Sequence, residues 1–100
     1  DHILVMGPMY HLFRDEDRRK VIEKALVHLK DKGKIYIAFI NLFAGVLYNL
    51  DVDKYGFMRE LELIPEFGEC LVKNKTWYGM AFTEARFDTV HEIKSFCNSF

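Results

Sequence analysis

The stretch DHILVMGPMYHL, residues 1–12, decides which folds the chain can adopt. Residues 2–6 form a short apolar run rich in strand-forming side chains, which predicts a β-strand. Gly7 and Pro8 end this strand, because proline has no backbone N–H for the ladder and restricts the residue before it. The chain therefore has to leave the sheet directly after its first strand.

A helix and a second strand follow. Apolar side chains recur at three- and four-residue steps and predict one apolar helix face; they are Val21, Ile22, Ala25, Leu26 and Leu29. Acidic residues 15–17 are expected at the N-terminal end of this helix and lysines 30 and 32 at its C-terminal end, where each charge is favourable to the helix dipole. Gly33 is expected to be the left-handed residue that ends the helix. Residues 35–40 are apolar on both faces, as in a parallel strand covered on both sides. Residues 1–41 therefore predict one βαβ unit with a right-handed crossover.

The pattern after residue 41 is looser. Residues 42–49 and 57–64 predict two short helices, and residues 69–72 are expected to pair with 77–82 in a hairpin. Thr89 and Glu92 have the spacing of a capping box, which opens a last helix with an apolar stripe. We assign residues 42–82 to an insert and residues 83–100 to an extended segment followed by that helix, all within a single domain.

Composition narrows the class of protein. A chain of 100 residues that is 50% apolar suits one domain, and 14 basic against 15 acidic residues leave no basic surplus for nucleic acid. Two widely separated cysteines fit a reduced, cytoplasmic protein. No apolar run reaches the roughly 20 residues of a membrane helix, since Asn41 and Gly45 interrupt residues 35–46. We therefore expect a cytoplasmic protein that binds neither nucleic acid nor membrane.

The two apolar strands need neighbours. Two parallel strands do not make a stable sheet, and a strand that is apolar on both faces requires partners on both edges. The sequence also opens with Asp1 directly before an apolar run, without an initiator methionine. We expect the chain to be an excerpt of a longer protein.

Three segments carry a resemblance to a known family. The turn GPMYHL (residues 7–12) after an apolar strand, the joint LKDKGK (29–34) and the segment FTEARFDTVHEI (82–93) resemble S-adenosylmethionine-dependent small-molecule methyltransferases of the Rossmann-like class. The family joint commonly reads Leu-Lys-Pro-Gly-Gly, so this chain lacks its proline. The family's Gly-rich turn and ribose-binding acidic residue are not in the sequence. The resemblance implies an α/β fold that is the C-terminal half of the domain, a partial Rossmann-like sheet without the N-terminal cofactor-binding strands.

The resemblance also implies a function, the transfer of a methyl group from S-adenosylmethionine to a small-molecule acceptor. Gly7, Pro8 and Tyr10 would bind the cofactor, because open α/β sheets bind ligands at the carboxyl ends of their strands. Gly7 would admit the cofactor close to the backbone, and the Tyr10 ring would attract the sulfonium cation. His11 and Asn41 would face the acceptor, with His11 as the candidate general base. Residues 42–82 would cover the substrate.

Structural explanations compete with these roles. Tyr10 could be packed half-buried under the helix, and His11 could pack beside the helix start. We expect Glu84 and Arg86 to be solvated charges, and the aromatic residues between 57 and 82 to be core. The histidines and cysteines lack metal-ligand spacing, so we expect no metal. The alternative function is a non-catalytic α/β interaction module that oligomerises through exposed strands; a homo-oligomer is compatible with both functions.

Overall fold

The computed structural model describes residues 1–80 and 83–100 of the chain, which form a mixed α/β protein with small sheets. Five strands and six helices occur in the described residues. In chain order they are β1 (His2–Val5), α1 (Pro8–His11), α2 (Asp15–His28), β2 (Lys34–Ile37), β3 (Ile40–Asn41), α3 (Ala44–Asp51), α4 (Lys54–Leu63), α5 (Pro65–Lys73), β4 (Trp77–Met80), β5 (Glu84–Asp88) and α6 (Val90–Asn98).

The predicted strand–helix–strand unit is confirmed. β1 and β2 are parallel, with α2 between them in the sequence, and their register runs from His2↔Lys34 to Val5↔Ile37. The Ala38 N–H donates to the Val5 carbonyl oxygen at 3.0 Å, which extends the pairing by one residue. β1 and β2 form a two-stranded sheet, and the remaining strands form a second sheet in the order β3-β5-β4.

The prediction of one continuous strand over residues 35–40 is wrong. β2 ends at Ile37, and β3 begins at Ile40 in the other sheet, parallel to β5, with Asn41 in register with Asp88. The physical reason is the length of β1. Ile37 pairs with Val5, the last residue of that strand, so β2 has no further β1 residue to pair with.

The chain divides into two compact units. The first unit contains Asp1–Phe39 and Tyr78–Arg86, and the second contains Ile40–Trp77 and Phe87–Phe100. The predicted βαβ unit, except for its last two residues, falls in the first of these units.

One face of the β1–β2 sheet is open to solvent. Leu4 and Tyr36 are cross-strand partners, and they are 67% and 49% exposed. Val5 on β1 is buried, as is Ile22 on α2. The prediction that both faces of this sheet are covered is therefore wrong for this chain, in which apolar side chains remain on one uncovered face.

α2 ends at His28, so the predicted Lys30 and Lys32 lie beyond its last turn, whose basic residue is His28. The left-handed residue is Lys32, with φ of 61°, and Gly33 does not have a positive φ. Gly33 is needed for space instead, because a Cβ there would lie 2.8 Å from the Lys30 carbonyl oxygen and 2.8 Å from Leu29 Cδ1. The acidic residues 15–17 do lie in the first turn of α2, as predicted.

The predicted hairpin of residues 69–72 with 77–82 is wrong, because residues 69–72 lie in α5. Pro65 suits the first turn of that helix, Phe67 is its buried residue, and Asn74 in the left-handed conformation (φ 53°) ends it. Residues 77–80 do form a strand, β4, while Ala81 and Phe82 lie outside the described residues. The two short helices predicted for residues 42–49 and 57–64 correspond to α3 and α4.

The predicted capping box at the start of α6 is confirmed. The Thr89 hydroxyl oxygen accepts from the Glu92 N–H at 3.2 Å, and the Glu92 carboxylate accepts from the Thr89 N–H at 3.2 Å. The same carboxylate accepts a hydrogen bond from the Thr76 hydroxyl. Burial alone would raise the pKa of Glu92, but the hydrogen bonds from Thr76 and Thr89 outweigh it and hold the pKa below its ordinary value.

Glu92→Gln should make the chain less stable at neutral pH and less sensitive to acid. A carboxyl group whose pKa is lowered by folding contributes stability that is present above its ordinary pKa of 4.5 and lost as the pH falls through the lowered value. We expect a loss of about 1 kcal/mol at neutral pH, the typical contribution of a helix cap. Unfolding by urea between pH 7 and pH 3 measures both effects. Glu23→Gln, on the exposed side of α2, is the matched control, and a Glu92→Gln pH profile that coincides with it would contradict the prediction.

Candidate functional site

The segment GPMYHL leaves the carboxyl end of β1 as one turn of helix. Gly7 precedes α1 in the right-handed region (φ −83°, ψ −44°), and Pro8 stands at the first helical position, where its missing N–H costs nothing. The Leu12 N–H donates to the Pro8 carbonyl oxygen at 3.0 Å. Met9 is fully buried and anchors the turn. Gly7, Pro8, Tyr10 and His11 are therefore held in one short, ordered segment.

Tyr10 and His11 offer adjacent polar groups on this turn. Their ring centroids lie 4.7 Å apart with an interplanar angle of 58°. Tyr10 is half-buried and His11 is exposed. His11 Nδ1 lies 3.4 Å from the Glu84 carbonyl oxygen, so β5 supports the imidazole from one side. A phenol that is partly open and an exposed imidazole can contact a ligand placed at the end of β1.

Asn41 lies in the second unit, whereas the other four predicted site residues lie in the first. It is the last residue of β3, it is half-buried, and its side-chain oxygen accepts from the Phe43 N–H at 2.9 Å. This bond turns the chain from β3 towards α3. The structure thus gives Asn41 a local role at the strand end, and the ring pair of Tyr10 and His11 belongs to a different unit.

Two buried arginines were missed by the sequence analysis. Arg18 on α2 is 1% exposed, and Arg86 on β5 is 6% exposed, so the expectation that Arg86 is a solvated charge is wrong. Asp15 Oδ1 accepts from Arg86 Nη1 at 2.8 Å and from Arg18 Nη1 at 3.2 Å. One carboxylate at the start of α2 therefore receives hydrogen bonds from two buried guanidinium groups.

Aromatic rings line the same two guanidinium groups. The Arg18 guanidinium carbon lies 5.1 Å from the centroid of the Phe39 ring, and that of Arg86 lies 5.5 Å from the centroid of the Tyr78 ring. Cation–π attraction of this kind offsets part of the cost of removing the charge from water. The sequence signal was an arginine between the apolar residues Ala85 and Phe87, which the structure places in β5.

Two polar side chains of the second unit, the buried Asn49 and the half-buried Asp53, have structural roles. Asn49 Nδ2 donates to Glu60 Oε2 at 3.1 Å and joins α3 to α4. Asp53 caps α4 by accepting from the Gly56 N–H at 2.9 Å. These contacts connect neighbouring helices and account for the burial of Asn49.

A small cavity of the second unit is lined by charged side chains and one thiol. It measures about 110 Å³ and is lined by Glu69, Cys70, Lys73 and Lys75. Burial raises the pKa of the Cys70 thiol, so the nucleophilic thiolate is disfavoured. Lys73 is paired with Glu69 at 2.7 Å. Across residues 1–80 and 83–100, we find no group of three or more side chains placed to bind a metal ion.

Comparisons of the chain with protein-family models, with curated proteins and with solved structures give no match. In the part of the chain that the structure describes, every helix is too short or too polar to cross a membrane.

Proposed function

We propose that this chain is the C-terminal part of an S-adenosylmethionine-dependent methyltransferase domain, of Rossmann-like fold and cytoplasmic, that methylates a small molecule. The observation that carries the proposal is the parallel β1–α2–β2 unit with GPMYHL at the carboxyl end of β1. That edge is where open α/β sheets bind their ligands. The resemblance of the turn to the methyltransferase family supplies the reaction.

Methyl transfer from a sulfonium is an in-line displacement at carbon. The acceptor attacks the methyl carbon from behind while the thioether leaves, so the protein must mainly hold the two reactants in line and exclude water. S-adenosylmethionine brings the activated methyl group. On this chain the Tyr10 ring would face the sulfonium, Gly7 and Pro8 would shape the wall of the cleft, and His11 would hydrogen-bond the acceptor or take its proton.

The uncovered sheet face supports the view that further chain completes the fold. Leu4 and Tyr36 would be covered in a Rossmann-like sheet, where helices pack on both faces. Within the described residues, β1 and β2 pair only with each other. Each strand therefore has a second edge at which an additional parallel strand can pair. In this proposal the missing strands carry the groups that bind the carboxylate and ribose of the cofactor.

Binding of S-adenosylmethionine tests the proposal directly. The complete protein that contains this chain should bind it with micromolar Kd, about −8 kcal/mol, and the 100-residue chain alone should bind it far more weakly. Calorimetry on both proteins gives the two values. A complete protein without measurable binding would overturn the function, and full affinity in the 100-residue chain would overturn the assignment as a part of the domain.

Tyr10→Ala in the complete protein should raise the Kd for S-adenosylmethionine. Cation–π contacts are worth about 0.5–2 kcal/mol, which corresponds to a factor of roughly 2 to 30. Tyr48→Ala is the matched control, because Tyr48 is an exposed tyrosine of the second unit. If Tyr10 is only a packing residue, the melting temperature of Tyr10→Ala falls while the Kd of the folded protein stays at the wild-type value.

The open sheet face also favours the second candidate function, an interaction module that associates through β1 and β2. Exposed apolar side chains beside unpaired strand edges invite pairing with another chain. Sedimentation of the complete protein with and without Tyr36→Lys distinguishes the two functions. An interaction module would lose association on this substitution and would bind no S-adenosylmethionine at all.

A further inference from the structure

We propose that Arg86 is a positioning residue for the candidate site: it holds the backbone that follows α1 and so fixes Tyr10 and His11 at the end of β1. The inference rests on the proposed function, because it gives a buried residue of β5 a role in holding the candidate site in place. All of the contacts that carry it lie within the first unit.

One nitrogen of Arg86 makes two hydrogen bonds to the connection between α1 and α2. Arg86 Nη1 donates to the Phe13 carbonyl oxygen at 2.8 Å and to Asp15 Oδ1 at 2.8 Å. Phe13 stands two residues after the end of α1, and Asp15 is the first residue of α2. A single buried guanidinium thus contacts both the backbone of Phe13 and the side chain of Asp15 in the short connection between α1 and α2.

A contact between aromatic rings also restrains the connection between α1 and α2. The Arg86 guanidinium lies over the Tyr78 ring, and the Tyr78 ring centroid lies 5.3 Å from that of Phe13. Phe13 is therefore restrained twice, through its carbonyl oxygen and through its ring. Tyr78 belongs to β4, so the restraint comes from a strand and not from a mobile loop.

β5 restrains the candidate site as well as the connection that follows it. β5 also approaches α1 itself, through the 3.4 Å separation of His11 Nδ1 and the Glu84 carbonyl oxygen. Glu84 and Arg86 thus contact the segment on both sides of Leu12. Any shift of this segment relative to β5 must move His11, and with it the adjacent ring of Tyr10.

Stability alone is a weak reason for a buried arginine at this position. Well-packed apolar side chains commonly replace buried ion pairs without loss of stability, because the cost of desolvation cancels much of the attraction. A guanidinium that reaches a carbonyl and a carboxylate does something that an apolar side chain cannot, since its hydrogen bonds define where the connection lies. This geometry points to positioning as the role of Arg86.

The test uses Arg86→Met and Arg86→Lys in the complete protein, with Arg14→Met as the matched control. Arg14 is an exposed arginine in the same unit, paired with Asp17 at the start of α2. We expect Arg86→Met to raise the Kd for S-adenosylmethionine by a factor within the roughly 2 to 30 expected for loss of the Tyr10 contact itself. Amide hydrogen exchange at Tyr10 and Leu12, whose N–H groups donate to the carbonyl oxygens of Gly7 and Pro8, should quicken by a similar factor.

Arg86→Lys should recover part of both effects, because an ammonium can donate to the same two oxygens. Arg14→Met should change neither. An Arg86→Met protein that matches Arg14→Met in Kd and in exchange overturns the positioning role. If Arg86→Met does not fold, Asp15→Asn, which weakens the Asp15 contact and keeps the Phe13 contact, takes its place with the same two readouts.

Failure of the proposed function is recognised separately. The proposed function fails if the unsubstituted protein does not bind S-adenosylmethionine. Exchange at Tyr10 and Leu12 still decides the positioning role in that case: faster exchange in Arg86→Met alone supports it, and exchange equal to that of Arg14→Met overturns it.

Discussion

Phe67→Ala should lower the free energy of unfolding by about 3–5 kcal/mol, the usual loss for a buried phenylalanine truncated to alanine. Phe67 is 2% exposed on α5, and its ring centroid lies 4.7 Å from that of Trp77, which in turn lies 5.0 Å from that of Phe87. The substitution removes the ring through which α5 contacts Trp77 of β4. A cavity would remain where three aromatic rings now pack.

Urea unfolding followed by the fluorescence of Trp77, the single tryptophan of the chain, measures this loss. Val72→Ala is the matched control, because Val72 lies on the same helix and is 88% exposed. We expect that control to change the free energy of unfolding by less than about 0.5 kcal/mol. A Phe67→Ala protein as stable as the control would show that α5 does not pack through this ring.

The parts of the fold that were predictable are those set by local sequence. The apolar run before Gly7-Pro8, the acidic start of α2 and the capping box of Thr89 and Glu92 each concern neighbouring residues, and each is confirmed. Parallel pairing of β1 with β2 followed from the order strand, helix, strand, because a crossover helix joins parallel strands.

The errors arise where distant partners decide the structure. Residues 35–40 read as one strand, yet the pairing partner changes from β1 to β5 between Ile37 and Ile40. Residues 69–72 fit a strand by composition, but they lie in α5, which begins at Pro65 and ends at the left-handed Asn74. A two-residue period and a 3.6-residue period are hard to separate over four residues.

The candidate site was predictable in one part only. GPMYHL was located from its position after an apolar strand, and the structure holds it there as a helical turn. The Arg86 contacts join residues 71 and 73 positions apart, so nothing in the sequence around Arg86 indicates that Asp15 and Phe13 are its partners. A charged residue between the apolar Ala85 and Phe87 was the usable signal in the sequence.

Gly33→Ala should lower the free energy of unfolding by about 1–3 kcal/mol, the usual cost of forcing an extra methyl group into a packed site. The added Cβ would lie 2.8 Å from the Lys30 carbonyl oxygen, a backbone atom that cannot turn away as the end of a flexible side chain can. The Gly33 N–H donates to that same oxygen at 2.9 Å, so relief of the clash also strains the turn that leads into β2.

Gly7→Ala is the control, because the nearest atom to a Cβ there is His11 Cδ2 at 4.0 Å, and its backbone is already right-handed. We expect Gly7→Ala to stay within about 0.5 kcal/mol of the unsubstituted chain in the same urea titration. Equal stability of the two alanine variants would show that the turn before β2 adjusts freely, and that Gly33 is not required by the space around it.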